Sequence, residues 1–239
     1  MVLTVSNYAE LSKKLVDALG LKTEPVAVTL IKKGQSIPEG YQVVDSAMRH
    51  CQSIMKARKG AVLCIPAEKN ACPVGASALG ETPLPEKVRS GEFHHNMGMY
   101  DTDQAAARTM SVRPSLPTGS TIATVVSPLS KALVKPDVVV VVGQPEQMFW
   151  IIPAAQTYDK GGRVTVEMAA VQASCVDSTV IPIDTGNVNI SLGCFGCRKT
   201  SDISPDEMLV GIPWNKFEGT VAAIEKMAQS AIPKSRAKS

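Results

Sequence analysis

The chain has 239 residues, of which 44% are apolar and 20% are charged, so it can bury a sizeable core. This composition excludes a disordered or fibrous protein. The net charge is only +3, and three of the positive charges lie in the tail at Lys234, Arg236 and Lys238. Because the rest of the chain has almost no excess positive charge to attract phosphates, we expect no nucleic-acid partner.

Hydropathy and the N-terminus indicate where the protein works. The longest aliphatic run is Val138 to Val142, far short of the roughly 20 residues that a membrane-spanning helix needs. The first residues show no basic region followed by an apolar stretch, so we expect a cytoplasmic protein with no membrane partner. Disulfides are rare in that reducing compartment, and the six cysteines are therefore expected to be buried thiols, metal ligands or redox centres.

Apolar periodicity predicts most elements of the first half. Ser6 or Asn7 can cap a helix through about Ala18, because apolar side chains recur there at helical spacing and Gly20 ends the pattern. The further predictions, in chain order, are a strand at 26–31, a helix at 44–59, a strand at 61–65, a helical turn at 74–79 and a helix near 103–109.

The second half predicts a strand–helix–strand unit. The β-branched runs at 121–127 and 137–142 are typical of strands buried on both faces, and Gly143-Gln144-Pro145 leads into a helix over 146–158. A strand over 163–168 would complete a βαβ unit. The remaining predictions are a helix over 169–175, a strand over 188–192, a helical turn over 205–210 and an amphipathic helix over 214–228. The fold class predicted is α/β (mixed α+β), with a mixed sheet and flanking helices.

The same patterns predict the domain organisation. Residues 1–232 are expected to form a single mixed α/β domain, or two lobes that meet near residues 111–120, followed by a disordered basic tail over 233–239. The apolar face of the 214–228 helix is expected to pack on the sheet or on a second subunit, which makes a homodimer a candidate assembly.

Four cysteines are candidate ligands of an iron–sulfur cluster. Cys72 precedes Pro73, and Cys194 lies next to glycines, so backbone N–H groups in both loops can point at a sulfur-rich anion. Iron–sulfur clusters require four thiolates in a partly apolar pocket with such hydrogen bonds. Cys51, Cys72, Cys175 and Cys194 together are therefore predicted to bind the iron of one [4Fe–4S] cluster, with zinc, thiol chemistry and simple burial as alternatives.

The other two cysteines have weaker claims to a ligand role. Cys64 has apolar neighbours on both sides and is predicted to be a core residue. Cys197 completes a Cys-x-x-Cys pair with Cys194, a spacing found in zinc sites, redox pairs and iron–sulfur sites alike. It is the reserve ligand candidate.

The function predicted is an iron–sulfur protein in electron transfer, redox sensing or cofactor assembly, with a redox partner protein. One alternative is a small-molecule-binding or enzymatic α/β protein with a structural metal site and a pocket at the Gly143 turn. A second alternative is a thiol oxidoreductase that uses Cys194 and Cys197 as a redox pair. The sequence assigns no catalytic residue.

A series of motifs lies along nearly the whole chain in a characteristic order. They are Leu19-Gly-Leu-Lys-Thr-Glu-Pro-Val-Ala-Val28, Cys51-Gln52, Ala57-Arg-Lys-Gly60, Ala71-Cys-Pro-Val-Gly-Ala-Ser-Ala-Leu-Gly80, Gly91-Glu-Phe93, Val126-Ser-Pro-Leu129, Pro136-Asp-Val-Val139, Cys175 and Gly193-Cys194. With these motifs the chain resembles the prokaryotic domain-of-unknown-function 169 family. The resemblance implies that Cys51, Cys72, Cys175 and Cys194 are the ligand set, because the matching positions in that family are usually cysteine, whereas those matching Cys64 and Cys197 often are not. The activity of the family is unassigned, so the resemblance implies a fold and a site rather than a reaction.

Overall fold

The fold is built on one open sheet, described in a computed structural model that covers residues 5–169 and 173–237. Within these residues the sheet has seven strands in the order β2-β3-β4-β1-β5-β7-β6. Only β2 and β3 pair in parallel, and the other neighbours run antiparallel. The strands are β1 (Val26–Lys32), β2 (Gln42–Val43), β3 (Leu63–Pro66), β4 (Thr121–Pro128), β5 (Val138–Gly143), β6 (Asn189–Ser191) and β7 (Met208–Pro213).

Helices cover both faces of this sheet, which confirms the mixed α/β class. A π-helix at Ala173–Val180 runs directly into α8. None of the helices in the described parts of the chain has both the length and the apolar character needed to cross a lipid bilayer. The α-helices are α1 (Val5–Leu19), α2 (His50–Ala57), α3 (Pro73–Ala78), α4 (Glu86–Arg89), α5 (Glu92–Asn96), α6 (Asp103–Ser111), α7 (Pro145–Gln156), α8 (Ile181–Thr185), α9 (Phe195–Thr200), α10 (Trp214–Ala228) and α11 (Ala231–Arg236).

Strand β5 shows how the sheet divides the core into two layers. Successive side chains of a strand point to opposite faces. Val139 and Val141 pack with the layer that contains α1, α7 and α10. Val138, Val140 and Val142 pack with the layer that contains α2, α3, α9 and the π-helix. All residues of β5 are buried, as the valine run predicted. Cys51, Cys175, Cys194 and Cys197 lie in the second of these layers, and Cys72 packs in a small cluster beside it with Val74.

The predicted βαβ unit does not form, because its last strand is absent. Residues 161–168 are irregular, and Gly161 and Gly162 both adopt positive φ angles. The Asn189 side chain binds this segment instead: its Oδ1 accepts from Glu167 N at 2.9 Å, and its Nδ2 donates to Glu167 O at 2.8 Å. Both neighbours of β5 are antiparallel strands, so no parallel partner lies beside it.

Four other segments differ from their predictions. The helix expected over 44–59 spans only His50–Ala57, since Met48 forms a bridge with Asn70. The turn expected over 205–210 ends in β7, which is paired on both sides. Of the helix expected over 169–175, the structure describes the π-helix from Ala173 onward, while residues 170–172 lie outside the described residues.

The last of the four is the tail that was expected to be disordered. Residues 233–236 belong to α11, and Arg236 forms an ion pair with Glu146 at 2.9 Å. Residues 238 and 239 lie outside the described part. The ion pair joins α11 to the N-terminal turn of α7, where a carboxylate is favoured by the helix dipole.

Candidate functional site

Five of the six cysteines line one small cavity. Cys51, Cys72, Cys175, Cys194 and Cys197 all face it. The other lining residues described are Arg49, His50, Val74, Gly75, Ser174 and Gly196. The structure therefore brings the four predicted ligands and the reserve candidate together from both halves of the chain.

Cys64 lies elsewhere, in the part of the core predicted for it. It sits on β3, is fully buried, and packs in a separate apolar cluster with Ile31, Tyr41 and Val125. Burial raises the pKa of its thiol above the ordinary value. Cys64 is thus a core residue and not part of the cavity.

Cys72 is positioned by the start of α3. It is the N-cap residue, and Pro73 begins the helix, so the proline ring fixes the backbone that follows the thiol. Gly75 N donates to Cys72 Sγ at 3.4 Å. A Cβ placed on Gly75 would stand 3.5 Å from Cys72 Sγ and 3.6 Å from Cys175 Cβ, so the glycine leaves the space between these two cysteines open.

Cys194 and Cys197 are positioned by α9 in a similar way. Cys194 is the N-cap residue, and Cys197 N donates to Cys194 Sγ at 3.2 Å. The two sulfur atoms are 3.3 Å apart, well beyond a disulfide bond length and within hydrogen-bond distance. Short capping turns thus present both Cys72 and Cys194 with a backbone N–H directed at the sulfur.

Cys175 reaches the cavity from the π-helix, which lies directly on the sheet. A Cβ on Gly211 of β7 would be 2.2 Å from Ser178 O, so only glycine permits this close approach. The Ser174 Oγ lies 3.4 Å from Cys197 Sγ, and Ser174 O accepts from Thr179 Oγ1 at 2.5 Å. The close contact with β7 holds Ser174 and Cys175 against the cavity.

Helix α2 contributes Cys51 together with two basic residues. His50 Nε2 is 3.0 Å from Thr179 Oγ1. Complete burial lowers the pKa of His50 to about 4, so the imidazole is neutral near pH 7. The Arg49 guanidinium lies over the start of α9, close to Gly196: a Cβ atom added to Gly196 would be 3.5 Å from Arg49 Nη1. The Arg49 guanidinium is therefore a positive group at the edge of the cavity.

Cys197 is the centre of the hydrogen bonds among the thiols. Hydrogen bonds from Cys194, Cys51 and Ser174 lower the pKa of Cys197 and favour its thiolate. The pKa values of Cys51 and Cys194 are raised, mainly because each thiol is hydrogen-bonded to Cys197 and also because both are buried. The pKa of Cys175 is raised mainly by burial and also by the neighbouring charges of Cys72 and Cys197. The hydrogen bonds from Cys194, Cys51 and Ser174 therefore converge on the Cys197 sulfur.

Cys197, the reserve ligand candidate, lies inside the cluster and contacts both Cys194 and Cys51. Among the described residues, no group of three or more His, Cys, Asp or Glu side chains has an arrangement ready to coordinate a metal ion. Cys197 is hydrogen-bonded to the thiols of Cys194 and Cys51. Ser174 and Arg49 also line the cavity and were not predicted, since their only sequence signal is their adjacency to Cys175 and to His50-Cys51.

A buried ion pair fixes α2 against the segment after α9. Arg58 Nη1 lies 2.9 Å from Glu207 Oε1, and the two side chains are only 7% and 6% exposed. Glu207 Oε2 accepts from Ser204 N at 3.0 Å, and Arg198 Nη2 donates to Glu207 O at 2.7 Å. These bonds connect the helix of Cys51 to the loop that follows Cys194 and Cys197.

A second polar network supports the Cys72 loop. Asn70 Oδ1 accepts from Cys72 N at 3.1 Å, and Asn70 Nδ2 donates to Glu81 Oε2 at 2.7 Å. Glu81 Oε1 also accepts from Thr124 Oγ1 at 3.0 Å. The buried carboxyl of Glu81 thus holds Asn70, and Asn70 orients the backbone at Cys72.

Glu81 should make stability depend on pH. Burial raises its pKa from 4.5 to about 7, so between these values the folded protein keeps a proton that the unfolded chain has released. The stabilisation from this proton is present at low pH and is lost as pH rises through about 7. Glu81→Gln lacks this titration. As pH rises from about 5 to about 8, the wild type should therefore become less stable relative to Glu81→Gln, as measured by the free energy of unfolding in urea. Parallel pH profiles for the two proteins would contradict this assignment.

Comparison with known proteins confirms the resemblance seen in the sequence. The model of the family DUF169, described as Uncharacterised ArCR, matches residues 14–223. The chain is 33% identical over 228 residues to the "Uncharacterized protein MJ0308" of Methanocaldococcus jannaschii, which covers 94% of this chain and 97% of that protein. No solved structure matches. Because the family model matches most of this chain, the chain belongs to the DUF169 family.

Proposed function

We propose that this protein binds one [4Fe–4S] cluster through thiolates from both halves of the chain and acts in electron transfer, redox sensing or cofactor assembly. The observation that carries the proposal is the convergence of five cysteines on one cavity from α2, α3, α9 and the π-helix. Free cysteines are common in protein cores, but simple burial does not require thiols from four separate elements to face each other.

The chemistry of the cavity fits a sulfur-ligated group. Its lining contains no carboxylate, and its one histidine is neutral and bonded to Thr179. An all-sulfur donor set favours iron–sulfur clusters or zinc over the hard cations Mg²⁺ and Ca²⁺. Backbone N–H groups at Cys72 and Cys194, together with Arg49, are suited to stabilise the negative charge of a thiolate-bound cluster.

Cys51, Cys72, Cys175 and Cys194 are the proposed ligands. Cys197 would then donate its own S–H to a ligand sulfur, the reverse of the hydrogen bond that it accepts from Cys194 in this structure, and such neighbours tune the potential and oxygen sensitivity of a cluster. The cluster would supply one-electron chemistry. Cys72 and Cys194 are partly exposed, which places one side of the cavity near the surface, within reach of a redox partner protein.

Anaerobic purification followed by absorption spectroscopy tests the proposal. The protein is expected to be brown, with broad charge-transfer absorption near ~400 nm from thiolate-bound iron. The Cys64→Ala variant, which alters a thiol outside the cavity, should give the same spectrum. A colourless protein with equimolar zinc would overturn the iron–sulfur assignment.

A second candidate function rests on the Cys194–Cys197 pair. The sulfur atoms are 3.3 Å apart, and hydrogen bonds favour the Cys197 thiolate, as in redox-active Cys-x-x-Cys motifs. Thiol–disulfide exchange would form the Cys194–Cys197 bond and break the substrate's S–S bond, so that two electrons pass to the substrate. The two thiols of the reduced substrate would take one proton from Cys194 and one from solvent. A colourless, anaerobically purified protein without iron or zinc that reduces a small disulfide such as cystine would favour this function.

A further inference from the structure

Large apolar side chains border the cysteine cavity where it comes near the surface. Leu192 and Phe195 lie on either side of Cys194 in the chain and are 53% and 43% exposed. Single exposed apolar side chains are common on protein surfaces, but these two flank a proposed cluster ligand that is itself partly exposed. A protein that approaches Cys194 from solvent must therefore pass close to both side chains.

Three positive side chains surround this apolar pair. Lys199 Nζ lies 5.7 Å from the centroid of the Phe195 ring, and the Arg49 guanidinium lies close to the start of α9. Lys56 is exposed on α2 and lines a groove of about 440 Å³ together with the last residue of α9. The basic face is defined here as Arg49, Lys56, Leu192, Phe195 and Lys199.

The cations of the basic face are not neutralised by the chain itself. Within the residues that the structure describes, none of Arg49, Lys56 and Lys199 forms an ion pair. The acid that lines the groove, Asp202, is paired with Lys59. The whole chain carries a net charge of only +3, so the attraction of an anionic partner must come from local groups such as these.

An acidic protein fits the basic face better than a nucleic acid or a membrane does. Nucleic acids and anionic membranes are bound mainly through many cations, whereas this face has three cations beside two apolar side chains. Protein–protein interfaces, in contrast, commonly have an apolar centre and a charged, solvent-exposed rim. The composition of the face therefore favours a protein partner with acidic groups around an apolar patch.

We propose that the basic face docks a small acidic electron-transfer protein, an inference that rests on the proposed cluster. Leu192 and Phe195 form the apolar centre of the contact, and the three cations pair with carboxylates around the redox group of the partner. One electron leaves the reduced group of the partner and enters the oxidised cluster, and no bond forms or breaks. Because the paired charges lie at the surface, the association weakens as salt rises.

Calorimetric binding of an acidic two-cluster bacterial ferredoxin to the anaerobically purified protein tests the proposal. The Kd should rise at least about tenfold between about 20 mM and about 200 mM salt, because salt screens exposed charges. The double variant Lys56→Glu, Lys199→Glu should raise the Kd at low salt at least about tenfold, since two attractive charges become repulsive.

The matched control makes the same change in net charge elsewhere. Lys33 and Lys160 are exposed and follow β1 and α7, outside the basic face. The double variant Lys33→Glu, Lys160→Glu should bind the ferredoxin within about threefold of the wild type. Leu192→Ser tests the apolar centre and leaves every cation in place, so it should raise the Kd by a similar factor at both salt concentrations.

Iron and sulfide are counted in every sample, which separates this proposal from the proposed function. All variants should keep the wild-type iron content and should be reduced by dithionite as the wild type is, because dithionite needs no docking protein. The docking proposal is overturned if the ferredoxin does not bind the iron-loaded wild type, or if the two double variants bind it equally. It is also overturned if vesicles of phosphatidylglycerol and phosphatidylcholine in equal parts bind through Lys56 and Lys199 while the ferredoxin does not. Wild-type protein without iron and sulfide overturns the proposed function and this inference with it.

Discussion

Cys175→Ala is expected to lose nearly all bound iron and sulfide. Cys175 projects from the π-helix beside Cys72 and Cys197 and is only 7% exposed, so water cannot readily reach its position to replace the lost thiolate. Cys51→Ala, Cys72→Ala and Cys194→Ala are expected to behave in the same way. The loss is measured as iron and sulfide per chain after anaerobic purification.

The same substitutions should lower the melting temperature of the cluster-bound protein. A cluster held by these cysteines would tie α2 and α3 to the π-helix and α9, segments far apart in the chain. Ligand binding to the folded state alone stabilises it, and a metal site that joins distant segments adds directly to folding. Loss of one ligand therefore affects both metal content and stability.

Cys64→Ala and Cys197→Ala are the matched controls. Cys64→Ala should retain iron and lose only a small packing contribution, since its thiol lies in a separate part of the core. Cys197→Ala should retain iron while changing the reduction potential or the oxygen sensitivity. If Cys197→Ala loses the cluster while Cys175→Ala keeps full iron and sulfide, the proposed ligand set is wrong and Cys194-x-x-Cys197 supplies two ligands.

Phe217→Ala is expected to lower the free energy of unfolding by about 3–5 kcal/mol. Phe217 is fully buried on α10 and stacks on Trp214 with ring centroids 5.6 Å apart. Trp214 in turn meets Tyr8 of α1 edge-on at 5.2 Å. Removing the ring would leave a cavity where α1, α10 and the sheet meet, and urea unfolding measures the cost.

Phe149→Ala provides the comparison for the same substitution at the surface. Phe149 lies on α7 and is 62% exposed, so its loss should change the free energy of unfolding by far less. Equal effects of the two substitutions would show that α10 does not pack as described. The packing of Phe217 is satisfied within one chain, and the homodimer expected as one alternative remains a prediction.

The sequence predicted the elements that keep the same pattern of burial from their first residue to their last. The valines of β5 are buried on both faces of the sheet, and a β-branched run is typical of that position. Helices α1 and α10 each keep one apolar stripe against the same layer. For these elements, local pattern and tertiary packing agree, so the pattern alone is enough.

The missed elements depend on contacts that no local pattern contains. Residues 163–168 have a strand-like composition, but the Asn189 side chain and two left-handed glycines hold them as irregular chain. Strand β7 begins within the segment 205–210 predicted as a helical turn, because the apolar run from Met208 fills the place between β5 and β6. Tertiary pairing overrides local propensity in both cases.

The sequence predicted the cysteines that line the cavity, but it did not predict which groups these cysteines contact. Proline and glycine next to Cys72 and Cys194 predicted loops whose backbone N–H groups could point at sulfur, and in the structure Gly75 N and Cys197 N donate to these two sulfurs from helix N-caps. Cys197 accepts hydrogen bonds from Ser174 and Cys51 because the fold brings these two residues against α9. That meeting depends on the close contact of the π-helix with Gly211, which only the fold reveals.

The most direct test of the proposed function is a count of iron and acid-labile sulfide per chain in anaerobically purified protein. A cluster held by the cysteines of this cavity predicts about four iron and about four sulfide per chain, with no zinc. Both counts should fall to nearly zero in Cys175→Ala and stay unchanged in Cys64→Ala. Equimolar zinc without sulfide, or protein free of both metals under anaerobic conditions, would contradict the proposed function.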